Sequence, residues 1–404
     1  MDTQTKIVSG RREILPYDAE ETTPLLFNNS INVNKNVASQ GKTSLAGAVF
    51  IVINACIGAG LLNFPHAFQS AGGIVVGVVV QLILLLVIGS SLLVLARCCH
   101  IHNCSTYQEV VQKMCGSLGL FFCNITIFLY CFGTSITFMI VIGDQLDSFL
   151  EFIAKNSMDK WYMNRKFTLT LFSVLVVLPL CIPKAIDFLK YSRFCHISSI
   201  PVYASLKKRT VAQFSKVCVI ALFLAFTVYT LTGIFGSLTY GTSSCSDILK
   251  SYDADDVSMT IARIMIAASV LTAYPILHFC GRVVINDLYV KFFKLTPEQI
   301  EDREKIRRII QTVIWWFFSL ILALFIPSIG VVISVIGGLA AIFIFVFPGL
   351  CLIEYAIHYY EGSLRCKHLL VGCGIACVAI GTFILGESTT LSIMTNIQGD
   401  TLTC

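Results

Sequence analysis

The sequence predicts an all-α polytopic membrane protein, and three observations lead there. Hydrophobic residues fill 56% of the 404 positions and charged residues only 13%, where a soluble domain carries about 25% charged residues. Apolar runs of roughly 20 residues recur from residue 45 to residue 388, each long enough to cross a hydrocarbon core of ~30 Å. The loops between the runs alternate in charge, as loops on the two sides of a membrane do. Lipid offers no partner to a free backbone N–H or C=O, so each run is expected to be helical.

Residues 1–42 come first. They are polar, mixed in charge and without apolar periodicity, which predicts a disordered tail, and they lack the basic-then-apolar layout of a signal peptide. Within the tail, Glu21 precedes the pair Leu25 and Leu26 at the spacing of an acidic dileucine signal. Clathrin adaptors read such signals and sort their cargo to endosomes and lysosomes. Nine spans are then expected within a transmembrane domain at 43–390: 46–68, 74–97, 118–142, 167–183, 214–238, 258–280, 309–327, 331–355 and 367–387. Residues 195–206 are half-apolar, contain Pro201 and are too short to cross, so they read as a half-helix or a peripheral segment. Residues 391–404 form a short tail.

The stretch 184–216 carries Lys184, Lys190, Arg193, Lys207, Lys208, Arg209 and Lys216 against Asp187, and 282–308 is similarly basic. The loop 239–257 instead holds Asp247, Asp253, Asp255 and Asp256 against Lys250. The positive-inside rule therefore places the N-terminus in the cytosol and, with nine spans, the C-terminus on the lumenal or outer side. The sequon at Asn103 falls on the cytosolic side and is expected to stay unglycosylated. A net charge of +5, confined to short loops, suits a membrane better than a nucleic acid.

Chemistry concentrates in the first span. Asn54, the trio Gly58, Ala59 and Gly60, then Asn63 and Pro65 all fall inside one apolar run. Glycine lowers helix propensity by ~1 kcal/mol relative to alanine and proline by about 3, so this run can unwind at mid-membrane. Unwinding exposes carbonyls and helix ends able to hold a cation and the charged ends of an amino acid. The competing reading is close packing of small residues between helices. In the span 258–280, Ser269 and Thr272 offer oxygen ligands to Na⁺ beside the kink at Pro275. His278, like His66 and His196, could titrate near neutral pH. Most of the 17 cysteines lie in apolar runs and read as small hydrophobes with no metal-ligand spacing. Cys98, Cys99 and Cys104 flank a helix end, as free thiols or as palmitoylation sites. Hydrolase, nucleotide-binding and metalloprotease signatures are absent, which argues against an enzyme and against any cofactor beyond Na⁺ or H⁺ as coupling ion.

At these residues a resemblance emerges. The run NACIGAGLLNFPHAF at 54–68, TYQEVV at 106–111, IGDQLD at 142–147, LTAYPILHFCGR at 271–282 and the long block 323–354 resemble the amino acid/auxin permease superfamily. Within it they most resemble the sodium-coupled neutral amino acid transporters, in particular the lysosomal carriers of glutamine and asparagine. The resemblance implies an inverted-repeat helical bundle of the amino acid/sodium symporter type, with eleven spans and a substrate held at a discontinuous first helix. It implies that Asn54, Gly58, Ala59 and Gly60 bind substrate, and that Asn54, Ser269 and Thr272 hold Na⁺. It also implies the lysosomal membrane as the address, with the plasma membrane as the alternative. After Phe194 the chain departs from the family, and about two spans are missing. The implied function is secondary active transport of neutral amino acids coupled to Na⁺ or H⁺; the alternative is a non-transporting or regulatory splice form.

Overall fold

The computed structural model describes residues 44–398, apart from 57, 154–160, 184–201, 204–205, 208, 254, 295, 297–298, 300–302 and 327–328. The dileucine residues Glu21, Leu25 and Leu26, His196 and most of the half-helix expected at 195–206 thus lie outside the described residues.

The described chain is a bundle of helices. The expected first span is broken: α1 (Leu45–Cys56) gives way to a 3₁₀ turn (Ala59–Asn63), and α2 (Phe64–Ser70) follows. Gly72 and Gly73, at φ 99° and 108°, make the tight turn into α3 (Ile74–His102), a conformation that only glycine adopts without strain. Then come α4 (Tyr107–Ile153), α5 (165–181), α6 (Val211–Tyr240), α7 (Val257–Phe293), α8 (Glu304–Phe325), α9 (Ile329–His358) and α10 (Leu364–Gln398). Among the described residues seven helices, α3, α4 and α6 to α10, are long and apolar enough to cross a membrane. The all-α polytopic class is thereby established.

Three boundaries differ from the sequence reading, each for a physical reason. The run 167–183 gives only the 17-residue α5, which widens into a π turn at Ser173–Val177 just before Pro179. Helix α4 bends at Gly116, which is left-handed at φ 73°. Beyond that bend it runs for roughly 37 residues, or about 55 Å at 1.5 Å per residue, well past the expected 118–142. Helix α10 continues through 391–398, so half of the expected tail is helix; the first strong breaker there is Gly399.

Capping follows the sequence closely. Asn164 accepts a hydrogen bond from the Lys166 N–H at 3.0 Å, Thr210 from Gln213, and Asp256 from Ser258 and Met259. Each satisfies an N–H that a helix start leaves without a partner. A second π turn, Ile342–Val346, precedes Pro348 in α9. Proline lacks an N–H and so leaves the carbonyl four residues earlier, that of Ile344, without its helical donor. Ser91 of α3 donates to it at 2.5 Å, and Tyr107 of α4 donates to Phe343 at 3.3 Å. The scaffold of α4, α7 and α8 is closed by Trp315, whose indole N–H reaches Ser135 at 3.2 Å, and by Tyr274, whose hydroxyl meets that of Ser319 at 2.8 Å.

Candidate functional site

Two features of the fold converge on one place: the break in the first helix, and a loop that lies over it.

At the break, α1 ends at Cys56 and Gly58 is extended, with φ −127° and ψ −171°. Any residue can adopt these angles, so they do not require glycine. Nor does packing: a Cβ added at Gly58 or Gly60 would meet nothing within 4 Å. Small-residue packing therefore fails as the reason for these two glycines. What they provide is exposed backbone without side-chain cover, although the Gly58 carbonyl already accepts from the Leu61 N–H at 3.0 Å. Asn63 adds a side chain whose Oδ1 is buried with no hydrogen-bond partner among the described residues.

Helix α6 braces the break from both sides. Tyr229 donates its hydroxyl to the Cys56 carbonyl, one of those that a helix end leaves without a donor. Its ring stacks on Phe64 at 4.3 Å between centroids and 14° between planes. One side chain thus holds the last residue of α1 and the first of α2. Further along, Ser237 donates to the Pro65 carbonyl at 3.1 Å. Gly233 and Gly236 let α2 approach: a Cβ on Gly233 would lie 2.7 Å from the Phe68 ring, and one on Gly236 2.7 Å from Pro65 Cβ. The sequence reading missed these braces. The only signal was a GxxGS run in α6, and nothing in the sequence says that it meets Pro65.

The loop that follows α6 closes over this place. Its 3₁₀ turn Ile248–Ser251 packs on the 3₁₀ turn of the break. Arg263 of α7, 2% exposed, clamps the loop by donating to the carbonyls of Leu249 at 3.0 Å and Tyr252 at 2.8 Å. Cys245 in the same loop is disulfide-bonded, which the reading of the cysteines did not anticipate, whereas fourteen others are free. From α4 the buried Asp144 and Gln145 face the loop. Asp144 pairs with Lys250 at 3.0 Å and with Arg165 at the start of α5, and Arg165 also reaches Asp147 at 3.6 Å. Gln145 donates to Asp247 at 3.0 Å.

The expected site residues separate into two groups. Asn54, Gly58, Ala59 and Gly60 fall together, Asn54 on the last turn of α1 and the others at the break. Ser269 and Thr272 lie on exposed turns of α7, which packs on α4, α5 and α8, whereas α1 packs on α6. Thr272 directs its hydroxyl to the Ser269 carbonyl at 2.8 Å, and no described hydrogen bond joins either residue to the break. His278 is fully buried against Trp315, with ring centroids 5.7 Å apart. Cys98, Cys99 and Cys104 are buried, and burial with the nearby Glu109 pushes the Cys104 thiol up to about 11, which leaves little reactive thiolate there. No cluster of three or more metal-ligating side chains occurs among the described residues.

A helix broken at mid-span, with open backbone at the break and a neighbouring helix fixing both halves, is the arrangement by which carriers hold small charged solutes. Comparison with known proteins agrees. The chain is 40% identical over 439 positions to sodium-coupled neutral amino acid transporter 7 of Xenopus laevis, covering 95% of this chain and 97% of that one. It is 43% identical to the protein of that name from Danio rerio and 41% to the human one, each alignment covering 89% of both chains. In the first alignment 95% of 404 residues supplies about 384 of the 439 positions, so about 55 positions of the relative face gaps. The sequence profile of the transmembrane amino acid transporter proteins matches in two pieces, 41–200 and 191–391, which meet where the chain departs from the family pattern after Phe194. With both pieces matched and relatives aligned almost end to end, the chain is a membrane transporter rather than an enzyme, and it belongs to the transmembrane amino acid transporter family.

Proposed function

We propose that the chain is a secondary active carrier of neutral amino acids, glutamine and asparagine foremost, across the lysosomal membrane, driven by Na⁺ or H⁺. The observation that carries this reading is the break at 58–63, where two glycines leave backbone exposed for no reason of packing or conformation. An amino acid presents a carboxylate and an ammonium group, and the half-helix ends and exposed peptide edges of such a break complement both. Asn54, Gly58, Ala59 and Gly60 are assigned to the substrate. Asn54 is assigned also to Na⁺, with Ser269 and Thr272 as further oxygen donors on a face of α7 that must come toward α1 to take part. The names of the relatives support sodium and neutral amino acids. The basic loops support a cytosolic N-terminus, and the disulfide at Cys245 supports an oxidising compartment on the side of the acidic loop. The dileucine signal of the tail supports recruitment of a clathrin adaptor and hence the lysosomal address.

A second reading has its own observation. About 55 positions of the relatives have no counterpart here, and the family match divides at 191–200. Two spans are assigned to that gap, and with them one wall of the substrate site; the chain is then a non-transporting or regulatory form of the carrier.

Uptake of labelled glutamine by proteoliposomes decides between them, measured with and without a Na⁺ or pH gradient and beside Asn54→Ala. Saturable, gradient-dependent uptake that falls at least tenfold in Asn54→Ala is the expected outcome. A folded, monodisperse preparation without uptake would favour the second reading.

A further inference from the structure

Asp247 opens the turn that lies on the helix break, and its surroundings are unbalanced. It is 2% exposed. Its Oδ2 accepts from Gln145 Nε2 and its Oδ1 from the Leu249 N–H, both at 3.0 Å. Among the described residues it has no ion pair. The two cations of the cluster, Arg165 and Lys250, both lie on Asp144, with Arg165 shared with Asp147. The third nearby cation, Arg263 of α7, donates to the carbonyls of Leu249, Tyr252 and Asp253. Three carboxylates, Asp144, Asp147 and Asp247, thus face the two cations that bind carboxylates, and Asp247 is the one left over.

A second observation points to what is missing. Gln145 Oε1 is buried without any donor, although its own Nε2 bonds Asp247. An amide that donates to a carboxyl group and still lacks a donor for its oxygen is half of a cyclic acid–amide pair. A proton on Asp247 would complete the pair, with the acid O–H donating to Gln145 Oε1 while Nε2 keeps its bond. The same proton would remove the surplus buried charge, whose burial is costly without a partner.

We propose that Asp247 is a proton-binding residue that holds the turn 247–251 down over the helix break, taking up a proton from the acidic-loop side as the site closes on that side. The proposal deepens the carrier reading, and rests on it only for the consequence that H⁺ is a coupling ion. Linkage fixes the direction. Burial, with Asp144 beside it, raises the Asp247 carboxyl from its ordinary 3.8 to about 6. A turn lifted into water would return it to the ordinary value. The closed turn therefore binds the proton more tightly, and acid stabilises closure; as pH rises through about 6, that stabilisation is lost. Between pH 7.5 and pH 5.0 the closing equilibrium should shift about tenfold. Acid in a lysosomal lumen then favours the state sealed from the lumen, the direction that a proton-driven export cycle needs.

Hydrogen–deuterium exchange tests this on the full chain in lipid nanodiscs, at pH 7.5 and pH 5.0, after correction for the intrinsic pH dependence of exchange. In the wild type, protection of residues 244–253 should rise about tenfold at pH 5.0, while that of α8 stays constant. Asp247→Asn cannot take up a proton and should be equally protected at both pH values, its overall protection lowered by loss of an acceptor for the Leu249 N–H or for Gln145 Nε2. Unchanged wild-type protection would overturn the proposal, and so would a pH response that survives in Asp247→Asn. Should that variant not fold, the wild-type pH series still decides. Loss of transport with the pH response intact would count against the carrier reading alone.

Discussion

Gly58 and Gly60 separate packing from function at the scale of single residues. An added methyl at either position meets nothing within 4 Å, and alanine narrows the unfolded ensemble, so Gly60→Ala should leave the melting temperature unchanged or slightly raised. If the open backbone serves the substrate, the same methyl obstructs it. The KM for glutamine should then rise severalfold in proteoliposome uptake, while thermal unfolding in detergent shows no loss. An unchanged KM would remove this turn from the substrate site. Tyr229 behaves in the opposite way. Tyr229→Phe keeps the ring on Phe64 but withdraws the donor from the Cys56 carbonyl, a loss of about 1 kcal/mol. Thermal unfolding should register this loss. Because Tyr229 holds the two halves of the break in register, the KM should rise with it, and a lowered melting point with unaltered KM would reduce Tyr229 to a structural brace. The sequence exposed the glycines because their type is unusual in an apolar run. It could not expose Tyr229, one aromatic among many, whose role depends on α6 lying across a break some 170 residues earlier.

Between elements, the closest approach at the site is α2 on α6, and it depends on Gly236. A Cβ there would press into the ring of Pro65, which is fixed to its backbone and cannot turn aside. Gly236→Ala should therefore destabilise the protein by ~2 kcal/mol, as overpacking of a tight contact does. Gly89→Ala is the control, because its Cβ would meet Leu222 at an ordinary 3.6 Å, and helix propensity then favours alanine by up to ~1 kcal/mol. Thermal unfolding of the two variants in the same detergent should move in opposite directions. The elements themselves were largely legible: apolar runs of span length located the helices, and the clustered glycines and proline marked where the first would break. Helix ends were less legible, because hydropathy reports what lies in lipid rather than where a helix stops. Helix α4 outruns its apolar stretch since Asp144, Gln145 and Asp147 find partners in the loop after α6 and on Arg165. The π turn before Pro348 belongs to the same class, since its carbonyls of Phe343 and Ile344 accept from side chains of other helices, which no local pattern records.

The molecule as a whole is shaped by what it lacks. About 55 positions of its relatives face a gap, and two membrane crossings of roughly 20 residues each with a connecting loop fill about that length. Losing two crossings, as the second reading has it, would leave every later loop on its original side, in keeping with the charge alternation of the loops. The bundle should show the loss as a face without a cover. Ser269 and Thr272 supply such a face: they are exposed near the middle of α7, whereas polar groups within a span ordinarily face protein or a water-filled cavity. Returning the relative's residues between Phe194 and Cys195 should therefore raise the melting temperature and bury Thr272. Thr272→Cys reports the burial directly. In the present chain it should react with a membrane-permeant maleimide, and in the restored chain its labelling should fall severalfold, with glutamine uptake rising in parallel. Equal labelling in the two chains would mean that the added spans pack elsewhere, and Ser269 and Thr272 would then lose their place beside Asn54 in the proposed Na⁺ site.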